Sequence, residues 1–269
     1  MGMPSRFDLV LQRVERAKEQ RRDLEREMRA WAEGGAYRVA SRFDLETGYT
    51  RFYLDQALEV TPKIAALIAE LLHSLRTALD NLAYQLFLVS RTDPADEGGG
   101  VYFPIYDDSK MTEVDAFRKI RTFRKEIVEA IRTVNTSKGG NPLLWVLHRL
   151  DIVDKHRRVL TSTLVHHSVF LRDAQRQLLL DAGFADMLPF VALRPAFVKS
   201  ARTGLTAKVG DVVLVGMPGD EKVNEKLKFT FDVAFDEPGI IEGKSIIETL
   251  DEMLKLVEGI ILTFQPFLV

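Results

Sequence analysis

The chain is predicted to fold as an α+β protein, a helical bundle of about five helices packed with a mainly antiparallel β-sheet. Three observations predict it. Apolar residues recur at helical steps through roughly the first 160 residues, alternate in short runs over 161–240, and return to helical spacing over 244–266. No internal repeat and no low-complexity linker divides the sequence. It therefore reads as a single domain over 1–269, helix-rich over 1–160, strand-rich over 161–240, with a C-terminal helix over 244–266.

The first helix is expected from about Ser5 to Ala32, with Phe7, Val10, Leu11, Val14, Leu24, Met28 and Trp31 at helical spacing and a charged middle that reads as a solvated face. A hairpin follows, in which Tyr37, Val39, Phe43 and Leu45 alternate, Glu46-Thr47-Gly48 turns, and Tyr49 to Leu58 returns. Thr61-Pro62 starts the second helix, because a threonine hydroxyl can cap and proline fits the first turn. Its wide apolar face, Ile64 through Leu86, marks a central bundle element ending near Ser90. Arg91 to Gly100 is a polar, glycine-rich loop, and Val101 to Tyr106 reads as extended around Pro104. Thr112 and Asp115 resemble a capping box opening a third helix, with Phe117, Ile120, Phe123, Ile127 and Ile131 as its buried stripe. Asn141-Pro142 opens a fourth, to about Leu160. Strands are expected over Val165–Leu171, Phe190–Val198, Lys208–Val215 and Leu227–Phe235, with Asp173–Met187 ambiguous. Ser245 and Glu248 then cap a last helix with Ile246, Leu250, Met253, Val257, Ile260 and Phe264 at heptad-like spacing.

Composition narrows the function. With 46% hydrophobic and 28% charged residues the chain is globular, and a net charge of −2 supplies no overall attraction to nucleic acid or anionic lipid. The absence of cysteine removes disulfides and thiolate metal sites and fits a cytoplasmic setting. No signal peptide or membrane-length apolar run is read, so no membrane partner is expected.

The densest chemistry lies in PLLWVLHRLDIVDKHRR, Pro142 to Arg158. On a wheel of about 100° per residue centred on Leu143, Leu147, Leu150 and Val146 define the buried side. Asp154 at about 20° and Arg157 at about −40° fall within it, whereas Arg149 and His156 share the opposite side and His148 and Lys155 lie at the flank. A carboxylate at Asp154 then needs a partner, either Arg157 one turn on or a cation from another helix. On the second helix His73, Arg76 and Asp80 form a polar line beside the apolar face. The expectation is a polar network around Asp154 that joins this line to His148, Asp151, Asp154, Lys155 and Arg157, with a structural or a binding role. Metal-ligand types are present in His73, Asp80, His148, Asp151, Asp154 and His156, but one regular helix points its own members three ways, so no metal and no cofactor is expected. Arg118 to Lys125 is basic and reads as a solvated face.

Two resemblances carry the functional expectations. LHSLRTALDNLAYQL (Leu72 to Leu86), FPI (Phe103 to Ile105) and PLLWVLHRLDIVDKHR (Pro142 to Arg157) look like the ordered blocks of a family of uncharacterised bacterial proteins, over roughly the first 160 residues. That family brings no established activity. The spacing Arg149, six residues, His156 resembles the signature of the HEPN ribonucleases, helical bundles whose Arg–His pair meets its symmetry mate across a dimer. That resemblance implies metal-independent RNA cleavage, with His156 as general acid or base and Arg149 stabilising phosphate charge. The sequence thus leaves two readings: a bacterial, cytoplasmic structural or binding module centred on Asp154, or a ribonuclease with RNA as partner. A homodimer would suit the Phe-rich strands and the last helix.

Overall fold

The computed structural model describes residues 4–46, 50–156, 162–171, 196–198, 209–210, 212–216 and 228–268. It is an α+β protein with a helical bundle and two small antiparallel sheets. Five helices of ten or more residues are present among the described residues: α1 (Arg6–Glu33), α2 (Pro62–Ser90), α4 (Lys125–Val134), α5 (Pro142–His156) and α6 (Ile246–Thr263). Short helices α3 (Glu113–Phe117) and α7 (Gln265–Leu268) accompany them. The strands are β1 (Tyr37–Phe43), β2 (Thr50–Ala57), β3 (Ser162–Leu171), β4 (Ala196–Val198), β5 (Val212–Gly216), β6 (Lys228–Glu237) and β7 (Ile241–Ser245).

The chain forms two compact units, neither continuous in sequence. One comprises Met1–Met28, Thr61–Leu160 and Ile247–Val269; the other Arg29–Val60 and Thr161–Ile246. Where the sequence reading takes 1–269 as one domain, the chain is partitioned by interleaving.

The helical unit is built as its apolar faces require. Thr61 Oγ1 accepts from the Ile64 amide at 3.3 Å, and α2 then buries Ile64, Ile68, Leu71, Leu72, Leu75, Leu79, Leu82 and Leu86. Helix α6 buries Ile246, Leu250, Met253, Val257 and Ile260, and Phe264 just beyond it meets Phe103 edge-on at 6.4 Å. Ion pairs tie α1 to α6: Arg21 grips Asp251 through Nε and Nη2 at 2.7 and 2.8 Å, and Lys18 reaches Glu258 at 2.6 Å.

The expected third helix is not continuous. Its capping chemistry is present, Thr112 Oγ1 accepting from the Asp115 amide at 3.3 Å, yet α3 gives way to a 3₁₀ turn at Arg118–Ile120 and helix resumes at Lys125. The apolar stripe explains this. Phe117, Ile120 and Phe123 recur every three residues, which keeps one face only in the tighter 3₁₀ winding, whereas Phe123, Ile127 and Ile131 step by four and suit an α-helix. All five are buried. Asn135 ends α4 in the left-handed region, at φ 54°, and Asn141 Oδ1 caps α5 through the Leu144 amide at 3.2 Å.

Between α2 and α3 the chain forms no helix or paired strand, apart from a parallel bridge of Tyr106 to Ser137 at the end of the segment expected to be extended. Gly98, at φ +70°, lies where a Cβ would come within 2.6 Å of the Phe87 ring.

The strand unit holds sheets of order β1-β2-β5 and β4-β3-β6-β7. The early hairpin therefore pairs with one later strand, and the others make a second sheet rather than extending a single one. Strand β7 was not anticipated, since Ile241–Ser245 is too short to show a period. The ambiguous segment Asp173–Met187, most of the Phe190–Val198 strand, and Thr47 and Gly48 of the expected turn lie outside the described residues. No helix among the described residues is long and apolar enough to cross a membrane.

Candidate binding site

The polar line on α2 is a double fastener. Arg76, only 5% exposed, donates from Nη2 to the Phe103 carbonyl at 3.0 Å. Asp80, one turn on, accepts from the Phe103 amide at 3.0 Å. Together they satisfy both backbone groups of the first residue in the Phe-Pro-Ile stretch, which regular structure would otherwise do. Arg76 Nη1 stands 2.9 Å from Asp80 Oδ1, an ion pair by distance. Burial pulls the Arg76 guanidinium below the usual arginine value, against the opposing charges of Asp80 and Asp151.

The second fastener joins α2 to α5. His73 Nδ1 lies 3.0 Å from Asp151 Oδ1; the carboxylate is 3% exposed and the imidazole 55%. His73 Nε2 in turn approaches Thr77 Oγ1 at 3.4 Å.

The network is therefore centred on Asp151 where the wheel placed Asp154. Leu144, Trp145, Leu147 and Leu150 are buried on α5, while Leu143, Val146 and Asp154 are half-buried. A helical wheel fixes the direction of a side chain but not how far along the axis the neighbouring helix covers it, and Asp154 lies two residues from the end of α5. The sequence reading was right that the α2 line meets a carboxylate of α5. Asp151, one of the α5 residues expected in the network, is the carboxylate that His73 meets. Arg149 is half-buried and does not line the cleft described below. Arg157 lies outside the described residues, as do the side chains of Lys155 and His156.

Above this network opens a cleft of about 730 Å³ within the helical unit. Arg76, Asp80, His148 and Asp151 line it from α2 and α5, Tyr102, Pro104 and Ile105 from the connecting segment, and Lys110, Met111, Asp115, Arg118 and Lys119 from the region around α3. Arg76 is paired with Asp80 on the α2 wall and Arg118 with Asp115 on the α3 side. Tyr102 is 43% exposed, with Lys119 Nζ 5.5 Å from its ring centroid. Sequence reasoning missed Tyr102, Lys110 and Met111 because nothing periodic marks an irregular segment. Among the described residues no group of three or more His, Asp or Glu is placed to hold a metal ion. No family model, curated protein or solved structure matches the chain.

Proposed function

We propose that this chain is a binding module of bacterial, cytoplasmic type, whose ligand enters the cleft between α2, α5 and the α3 region. The observation that carries the reading is the pairing of a rigid polar floor with an open mixed-polarity cavity. Arg76, Asp80, His73 and Asp151 spend their hydrogen bonds on Phe103 and on each other, so they hold the walls and set the field. The volume lies within the range of about 300–1,000 Å³ typical of small-ligand sites. The resemblance of the three sequence blocks to a bacterial family and the cysteine-free composition motivate the setting.

A panel of polar metabolites screened by amide NMR tests this. A binder is expected to shift resonances of residues 102–119 and 148–152. Hits confined to 42–53, or no perturbation of the cleft by any compound, would refute the reading.

The alternative is a metal-independent ribonuclease. Arg149 and His156 both fall within α5, seven residues and so nearly two turns apart, which puts them on one side of that helix. Cleavage of RNA in the presence of EDTA, abolished by Arg149→Ala, and a dimer by light scattering are expected on this reading. Intact RNA rejects it.

A further inference from the structure

We infer that the cleft and the basic run beside it form a binding track for single-stranded nucleic acid. This deepens the proposed binding role and rests on the cleft being the ligand site. The segment Arg118 to Lys125 carries five cations in eight residues, all exposed, because Ile120 and Phe123 turn inward and are buried. Only Arg118 has an ion pair, to Asp115 at 2.7 Å; Lys119, Arg121, Arg124 and Lys125 have none among the described residues. Several cations elsewhere in the same unit rest on carboxylates, as Arg21 does on Asp251 and Lys63 on Glu27. In a chain of net charge −2, this unneutralised row is a local reversal of sign.

Two features select a nucleic-acid strand over other polyanions. First, Lys119 belongs both to the row and to the cleft rim, where it stands over the exposed ring of Tyr102. A base can stack on that ring while its phosphate meets Lys119, the combination that single-strand binders use. Second, the cleft's cations are unequally available. On the inner wall Arg76 is buried and already faces Asp80 and Asp151, whereas at the rim Lys119 is exposed and has no ion pair among the described residues, so a phosphate is drawn to the rim. A heterocycle inside with its phosphate outside matches that division. An acidic peptide offers no ring for Tyr102, and a lipid headgroup offers no base for the interior.

The test is fluorescence anisotropy of the full chain with labelled twelve-nucleotide oligo(A) in ribose and deoxyribose forms. Binding is expected at low salt in one or both arms, and their ratio tells RNA from DNA as the source of the strand. The quadruple variant K119Q/R121Q/R124Q/K125Q should flatten the plot of log affinity against log salt by about 3, since each single-strand phosphate contact contributes about 0.7. The matched variant R13Q/R16Q/R22Q/R26Q on α1 should keep the wild-type slope. Tyr102→Ala should weaken binding by about 5- to 150-fold, the range for one stacked base. No binding in either arm, an unchanged slope, an unaffected Tyr102→Ala, or equal displacement by polyglutamate overturns the proposal. If small polar ligands still shift the cleft resonances while the oligonucleotides fail, the binding-module reading stands and this one falls.

Discussion

Asp151 and His73 make one contact but do not share its consequences. The carboxylate is sealed between helices, and the imidazole is more than half exposed. Removing the buried partner strands the exposed one in water, where it loses little. Removing the exposed partner leaves a buried charge still near the Arg76 guanidinium. His73→Ala, which leaves the buried Asp151 carboxylate without its imidazole partner, is therefore expected to destabilise by about 1–3 kcal/mol. Asp151→Ala leaves only an exposed imidazole and an Arg76 still paired with Asp80, and is expected to cost about 1 kcal/mol or less. Urea denaturation of both variants checks the asymmetry, and equal losses would contradict it. Gly98 is a second residue whose identity is dictated. An added methyl group meets the Phe87 ring in a backbone conformation that side chains disfavour, so Gly98→Ala should cost about 1–3 kcal/mol by thermal melting. At this scale the sequence was legible as residue types but not as depth. His73, Arg76 and Asp80 were recognisable as a line, yet how deeply Asp151 and Asp154 are buried depended on where a neighbouring helix lay.

For the elements, local chemistry was the most readable layer. Thr61-Pro62 and Asn141-Pro142 start α2 and α5 where capping chemistry says they should. Thr61→Ala is expected to cost about 1 kcal/mol, seen as a lowered urea midpoint with an unchanged slope. The Thr112–Asp115 pair illustrates a cap that is right while its helix is shorter than expected. Hydrogen bonds from Thr112, then from Arg118, hold the Asp115 carboxyl below the ordinary aspartate range. A depressed carboxyl contributes stability above its unfolded-state value and loses it as pH falls through the folded one. The cap should therefore persist at neutral pH and weaken only below about pH 4. An NMR titration of the Asp115 side chain that inflects above the ordinary value would contradict this. The break after Ile120 was also written in the sequence, as a change of apolar step from three to four, but counting stripe members without comparing their spacing hid it.

At the level of the whole molecule, the class was legible and the partition was not. Helical and strand periods announce α+β, and α2 and α6 carry complete apolar faces that fix their existence. What periodicity cannot express is which segments share a core, since that is set by contacts between residues far apart in the chain. The early hairpin belongs with strands more than a hundred residues later, β2 pairing with β5 from Thr50↔Gly216 onward. Likewise the helical unit recruits Ile247–Val269 to complete itself. A chain stopped after Ser245 is expected to lose cooperative unfolding of that unit, because Leu250, Met253, Val257 and Ile261, all at or near zero exposure, go with it. A single sharp thermal transition in such a truncation would disprove the dependence.

The interleaving also bears on how the molecule is born. As the polypeptide leaves the ribosome, α1, α2 and α5 emerge with greasy stripes whose remaining cover has yet to be translated, and the whole of 161–246 must pass first. Those stripes stay available to chaperones, or to one another on neighbouring nascent chains, until the last helix arrives to shut the bundle.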